Sequence, residues 1–450
     1  MAKFFGTDGV RGLANTGKMT PNSMLRLGRI AGQYFASKSG GRSSAIIGKD
    51  TRLSGDMIES ALIAGLTSAG MDVKRAGVLP TSGTALMTKA LGADLGVMIT
   101  ASHNKYPDNG VKVFGPDGCK LSDQVEADIE ALLAGGGEGA VPSAELGRVS
   151  RIEGLQARYI ELCKATLPAG QDLSGLKIVI DAAHGAAFAT AAATLQAMGA
   201  DDVISIGCAP TGDNINAGCG STETDLLSKT VVAKGADVGV ALDGDADRLI
   251  MCDETGKIID GDQLLGLIAT SWKAQDRLCG NGIVATVMSN LGLERYLEGN
   301  ELRLVRTQVG DRHVAARMRQ DGYNVGGEQS GHLLMTDYSP TGDGTMAAIQ
   351  ILAEIKRQGR PASEVLNVFE PVPQFLKNVR YARESPMSHP KLAAAIEAAQ
   401  ADFAGQGRVL IRASGTEPLI RVMAEGDDSD KVEAVVEEFI ELIESLGESS

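Results

Sequence analysis

The chain has 450 residues, 43% of them hydrophobic, and a formal net charge of −14. That length predicts about three domains of ordinary size, and the acidic balance argues against any general affinity for nucleic acid or an anionic membrane. No run approaches the ~18 apolar residues of a membrane span, Met1–Gly6 lacks the apolar core of a signal peptide, and six scattered cysteines without a C-x-x-C pair fit a reduced cytoplasm, each thiol a small buried hydrophobe.

In chain order, Phe5-Gly-Thr-Asp-Gly-Val-Arg-Gly12 puts Arg11 in a glycine-flanked loop, and a strand at Ala45–Asp50 leads into a second basic loop, Gly48-Lys-Asp-Thr-Arg52. The apolar run Leu95–Thr100 then enters Ala101-Ser-His-Asn104, with Lys112 ten residues beyond Ser102. A hydroxyl at the carboxyl end of a buried strand stands where open α/β sheets place ligands. With His103 adjacent and a cation in reach, Ser102 reads as a nucleophile or phosphoryl carrier; the plainer alternative is a helix or turn cap. Gly135–Pro142 is a glycine-rich break.

Further strands are expected at Lys177–Asp181, Val238–Asp243 and Ile283–Met288. The fourth of these five runs opens directly into Asp243-Gly-Asp-Ala-Asp-Arg248. Three carboxylates at alternate positions repel unless a cation compensates, and Mg²⁺, a hard ion suited to carboxylate and phosphate oxygens, is the natural one. The spacing imitates a calcium loop, with Glu254 at its twelfth position, but Arg248 stands where that loop needs glycine. A dehalogenase-type phosphatase would place Thr or Val where Ala246 is, and a solvated acidic turn is the remaining alternative.

Gly326-Gly-Glu-Gln-Ser-Gly-His332 offers Glu328 and Ser330 to vicinal hydroxyls, or is a polar turn. Arg412-Ala-Ser-Gly-Thr-Glu-Pro418 with Arg421 concentrates hydroxyls, glycine-freed N–H groups and guanidinium forks, the ingredients of a phosphate nest. The last element is an amphipathic helix with Val432, Val435, Val436, Phe439, Ile443 and Leu446 on one face and Ser429 as N-cap. Strands alternating with helices, broken near 135–142, 253–256 and 359–373, predict three α/β blocks with mixed or parallel sheets and a smaller α+β block.

These loops, in this order and across essentially the whole chain, resemble the α-D-phosphohexomutase superfamily. The opening FGTDGVRG and Asn214-Ile-Asn-Ala-Gly-Cys-Gly-Ser-Thr222 resemble its glucosamine-phosphate branch in particular. The resemblance implies four domains around a central cleft: 1–145 with the phosphoserine loop, 146–253 with the metal loop, 254–366 with the sugar loop and 367–450 with the phosphate loop. It implies that Ser102 carries the phosphoryl group and that Asp243, Asp245 and Asp247, with a phosphoserine oxygen, hold one Mg²⁺. Glu328 and Ser330 would hold sugar hydroxyls, and Arg412, Ser414, Gly415, Thr416 and Arg421 the phosphate not being transferred. Arg11, His103, Lys112 and Arg248 would surround the reacting phosphoryl, with Lys112, His103 and His332, in that order, as acid/base candidates.

The activity so implied interconverts glucosamine 6-phosphate and glucosamine 1-phosphate through a glucosamine 1,6-bisphosphate, feeding UDP-N-acetylglucosamine synthesis. A kinase or autophosphorylation would first charge Ser102, and a homodimer is compatible with it. The alternatives are a glucose or mannose phosphate mutase of the same fold and a Mg²⁺-dependent sugar phosphatase. Lys105, where the superfamily usually has proline, and Gln308 and His313, where this branch has lysine and tyrosine, are departures from the pattern.

Overall fold

Continuous apolar runs form strands buried on both faces, as parallel-type sheets covered by helices require. Leu95–Ile99 and Val238–Leu242 are buried at every position. The structure, a computed structural model, describes residues 4–6, 8–136, 139–381, 385–403, 405–413 and 419–448. Its contacts divide the chain into one unit of residues 1–286 with 305–368 and another of 287–304 with 369–450.

In the first unit a six-stranded mixed sheet runs Val10–Leu13, Asp108–Phe114, Leu95–Ile99, Ser44–Lys49, Asp72–Val78, Val149–Arg151. Leu95–Ile99 lies parallel to Ser44–Lys49 and antiparallel to Asp108–Phe114, which sets Lys112 opposite Met98. Val10–Leu13 pairs antiparallel on the other side, with Arg11 opposite Gly110. Helices Pro21–Ala36 and Gly55–Ser68 pack closely because two glycines allow it: a Cβ at Gly28 would lie 2.5 Å from the Leu62 carbonyl oxygen, and one at Gly65 2.2 Å from that of Leu25.

A second, five-stranded sheet runs Ile258–Ile259, Leu249–Asp253, Val238–Leu242, Lys177–Asp181, Asp202–Ile206. Leu242 pairs with Leu249 across an antiparallel ladder, so Asp243–Arg248 is a hairpin loop. The Asp253–Gly256 turn lies inside this sheet, between two of its strands. The third sheet runs Arg303–Thr307, Gly282–Thr286, Val325–Gly327, Leu333–Met335, and its last two strands form the hairpin that carries residues 328–332.

The second unit holds an antiparallel sheet, Gln374–Arg380, Leu419–Gly426, Gly407–Ala413. Helix Ser429–Glu448 buries Val432, Val436, Phe439, Ile443 and Leu446 in the same core, with Val435 at its edge. Three mixed α/β sheets and a smaller α+β body are the fold class expected from the sequence. The cap differs: Ser429 is already helical, and the Asp428 carboxylate accepts from the N–H groups of Asp430 and Lys431, both at 3.1 Å. An ionised carboxylate is the stronger acceptor at a helix N-terminus. The cysteines also differ. All six are free, but only Cys163, Cys219 and Cys252 are buried; Cys119 and Cys208 are half-buried, and Cys279 is exposed on the loop before Gly282–Thr286.

Candidate active site

Ser102 follows the buried strand Leu95–Ile99 in a left-handed conformation, φ +52°, uncommon for a residue with a Cβ. Its N–H donates to Thr100 Oγ1 at 2.9 Å, and Thr100 Oγ1 donates to Asp50 at 2.7 Å. Its hydroxyl donates to Asp243 Oδ2 at 2.7 Å and lies 3.4 Å from His103 Nδ1. The Ala101–Asn104 loop and the acidic hairpin of the second sheet therefore meet at this hydroxyl.

Asp243, Asp245 and Asp247 are all buried and present oxygens within 4.8 Å of one another. Asp243 is pushed up by burial and by the charges of Asp247 and Asp245. Burial also pushes Asp247 up, but Lys112 and His332 outweigh it and hold the carboxyl well below the usual range. Asp245 Oδ1 and Asp247 Oδ1 are buried without a hydrogen-bond partner. An all-oxygen set with orphaned buried acceptors fits a hard divalent cation. Ala246, at φ +60°, bends the hairpin so that the alternate acids converge, and Thr81 Oγ1 donates to Asp245 Oδ2 at 2.5 Å.

Cations ring this centre. Lys112 Nζ donates to Asp245 Oδ2 at 2.8 Å and Asp247 Oδ2 at 2.6 Å, and burial fails to offset the acids that raise its pKa well above the ordinary value. The Arg248 N–H donates to Asp243 Oδ1 at 3.1 Å, and its Nε is buried without a partner. His332 bridges to Arg248 through a backbone pairing, and its ring stands 3.4 Å from Asp247 Oδ1 and 3.3 Å from Asp311 Oδ2. Burial lowers the His332 pKa, but Asp247 and Asp311 lift it to about 9. His103 goes the other way, pushed down to about 4 by burial, then by Arg248 and Arg11. Arg11 reaches Asn104 Oδ1 at 3.5 Å and Asp8 Oδ2 at 3.5 Å.

The loop 328–332 borders the same centre. Glu328 is half-buried, accepts from the Gly310 N–H at 3.0 Å, and adds to the field that holds Arg248 charged. Ser330 is exposed on the same loop. Gln308 and His313 are exposed around Gly310, and Lys105 pairs at the surface with Glu223 at 2.8 Å. Arg412 and Arg421 face each other on neighbouring strands of the second unit; Ser414, Gly415 and Thr416 lie outside the described residues.

Several residues of the centre were not assigned from the sequence. Asp8 receives Lys120 and lies 3.5 Å from Lys112, and Lys120 also donates to Asp311 at 2.6 Å. Asp50 and Arg52, read only as part of a basic loop, form a buried pair at 2.8 Å beneath Ser102. Asn216, inside the Asn214–Thr222 run, donates to the carbonyl oxygens of Ser102 and Asn104 at 2.9 and 3.0 Å. The available signal was the glycine beside or near each of them: Asp8 precedes Gly9, Asp50 and Arg52 follow Gly48, Asp311 follows Gly310, and Lys120 and Asn216 lie within two residues of Gly118 and Gly218.

Four phosphoglucomutase/phosphomannomutase domains match the chain: alpha/beta/alpha domain I at residues 2–139, domain II at 157–256, domain III at 260–372 and the C-terminal domain at 376–442. A phosphoglucosamine mutase from Phenylobacterium zucineum is 55% identical, over 98% of this chain and 98% of its own. The crystal structure of a phosphoglucomutase/phosphomannomutase family protein from Burkholderia thailandensis matches with a TM-score of 0.82 at 22% identity, over 99% of this chain and 97% of its own. An N-acetylphosphoglucosamine mutase from Aspergillus fumigatus, crystallised with GlcNAc-6P and magnesium, matches with a TM-score of 0.65 at 18% identity, over 98% of this chain and 96% of its own.

Proposed function

The chain belongs to the phosphoglucomutase/phosphomannomutase family, and on that premise we propose that it interconverts glucosamine 6-phosphate and glucosamine 1-phosphate through a phosphoserine at Ser102. The observation that carries this reading is the meeting of the Ser102 hydroxyl with the buried aspartate triad, 2.7 Å from Asp243. Relatives named phosphoglucosamine mutase, 54–56% identical over nearly their whole length, support glucosamine phosphate as the substrate.

Phosphorylated Ser102 passes its phosphoryl group to the free hydroxyl of the sugar phosphate. The Ser102 Oγ–P bond breaks, a sugar O–P bond forms, and the hydroxyl proton goes to a base of the site. The resulting 1,6-bisphosphate turns over, and its other phosphate returns to Ser102, leaving the isomeric monophosphate. Asp243, Asp245 and Asp247 would hold Mg²⁺, which would supply charge neutralisation to a loose phosphoryl transition state. Arg11 and Arg248 bring guanidinium forks to the same phosphoryl oxygens. Lys112, shared between two acids, stays protonated and sets the charge of the centre. His103, neutral at pH 7 and 3.4 Å from Ser102 Oγ, is the better placed proton acceptor, and His332 is an acid rather than a base there.

Glu328 and Ser330 orient the sugar hydroxyls, and the loop from Arg412 to Arg421 grips the distal phosphate. The four domains are taken as 1–145, 146–253, 254–366 and 367–450, each contributing one loop to the reaction. The protein works in the cytoplasm, as a monomer or homodimer, with glucosamine 1,6-bisphosphate as activator. Ser102 is first charged by a kinase or by autophosphorylation, and the product feeds UDP-N-acetylglucosamine synthesis.

The test is kcat/KM for glucosamine 6-phosphate against glucose and mannose 6-phosphates, with Mg²⁺ and a trace of the matching bisphosphate. A preference of about a hundredfold, equivalent to about 2.7 kcal/mol, supports the amino-sugar reading. A ratio near one replaces it with a general hexose phosphate mutase. Release of inorganic phosphate without isomerised sugar replaces it with a phosphatase.

A further inference from the structure

Arg52 sits at the end of the strand Ser44–Lys49, fully covered, with its whole donor set in use. A guanidinium has five N–H groups. Nε donates to Asp50 Oδ2 at 2.8 Å; Nη1 donates to the carbonyl oxygens of Lys105 at 2.6 Å and Asp108 at 3.1 Å; Nη2 donates to those of Ser102 at 2.8 Å and Asn104 at 2.6 Å. Four carbonyls of one loop thus converge on one side chain. Asp50 closes the brace by accepting from Thr100 Oγ1, which in turn accepts from the Ser102 N–H. Asn216 holds the Ser102 and Asn104 carbonyls from the second sheet's side.

The brace coincides with a strained point. Ser102 is at φ +52°, a conformation unfavourable for a residue with a Cβ that persists only when its surroundings over-determine it. Relaxing it would swing the hydroxyl away from Asp243. Fixing a reacting oxygen in a near-attack position is worth orders of magnitude in rate.

We propose that Arg52 is a positioning residue for phosphoryl transfer: its four-point clamp on the carbonyls of residues 102–108, anchored on Asp50 and seconded by Asn216, holds Ser102 in the left-handed conformation that aims Oγ at the aspartate triad. Arg52 itself is shielded from the reacting atoms by the loop it clamps. Its role is in the rate at which Ser102 exchanges phosphate, not in sugar affinity. The inference rests on the phosphoserine reading of the preceding subsection.

Arg52→Lys keeps a cation beside Asp50 but brings three donors where five are in use. Dephosphorylated protein with Mg²⁺ is mixed with glucosamine 1,6-bisphosphate, and phosphate on Ser102 is followed by intact mass alongside kcat and KM. The expected result is the wild-type end point reached roughly a hundredfold more slowly, the scale of a displacement of about 1 Å, with KM for the monophosphate nearly unchanged. A wild-type rate overturns the proposal. So does a normal rate with a reduced end point, which is what a merely destabilised protein would give. If Arg52→Lys does not fold, Asn216→Ala removes two of the donors on the same carbonyls and must slow uptake; an unchanged rate there overturns the proposal as well. Failure of the wild-type protein to take up any phosphate at Ser102 removes the functional reading itself, and this inference with it.

Discussion

Lys112 Nζ lies 2.6 Å from Asp247 Oδ2, an ammonium held inside the very acids that look built for a metal. The same nitrogen reaches Asp245 and approaches Asp8, so it is a standing counter-charge that partly neutralises the triad before any ion arrives. Lys112→Met should leave three buried carboxylates short of a partner. In metal-free protein the expected loss is about 3–5 kcal/mol, recovered in part by saturating Mg²⁺, because an ion bound only by the folded state adds to its stability. Urea unfolding in EDTA and in Mg²⁺ reads both effects. A variant as stable as wild type in EDTA would show that Lys112 is not compensating the triad.

His332 makes a pH-dependent contribution. Burial lowers its pKa, but Asp247 and Asp311 raise it to about 9 in the metal-free protein. A raised folded-state value means that the protonated ring favours folding. Its contribution is complete below the unfolded value of ~6.5 and is lost as pH climbs through about 9. The difference between the two values corresponds to roughly 3 kcal/mol. Urea midpoints in EDTA should therefore separate wild type from His332→Gln at about pH 6 and converge near pH 9.5. A separation that does not change with pH contradicts the charged pairing.

The 2.7 Å contact between Ser102 Oγ and Asp243 is the geometry on which the proposed phosphoserine rests. Ser102→Ala should remove most turnover and all phosphate uptake by mass, while binding of glucosamine 6-phosphate, measured by calorimetry, stays within a few-fold of wild type. Unimpaired turnover would assign the phosphoryl carrier to another residue.

The legible part of this molecule is local. Strands such as Leu95–Ile99 are unbroken apolar runs, and each loop after them spells out its own donors and acids. What the sequence hides is pairing across long separations. Arg52 finds its carbonyls 50 to 56 residues downstream, and Lys120 joins Asp8 and Asp311, 112 and 191 residues away. Nothing in the Gly48–Arg52 loop distinguishes a guanidinium that will be swallowed by backbone from one bound for solvent. The Lys112 ammonium was legible as a cation near Ser102, but its engagement by two aspartates, which makes it a poor base, emerges only once two sheets are in contact. At the last helix, adjacent Asp428 and Ser429 are both good caps, and the chain uses the aspartate, the stronger acceptor.

Gly244 links these threads. It sits between two acids of the hairpin, and a Cβ there would lie 2.6 Å from the Ser102 carbonyl oxygen, 2.7 Å from Asn216 Nδ2 and 2.9 Å from Ile215 Cδ1. Its φ is not positive, so crowding rather than backbone strain is the objection to a side chain. Two of the three obstacles are the brace that holds Ser102, and neither is the free end of a flexible chain. Gly244→Ala should push the serine loop and the acidic hairpin apart, costing about 1–3 kcal/mol of stability and lowering kcat by more than it raises KM. Gly40→Ala, exposed and with no neighbour within 4 Å of the added carbon, is the matched substitution and should leave both unchanged. Thermal unfolding and steady-state kinetics on the pair decide it. A Gly244→Ala protein with wild-type kcat would mean that Ser102 tolerates displacement from Asp243, and the close approach of the two loops would then matter for folding alone.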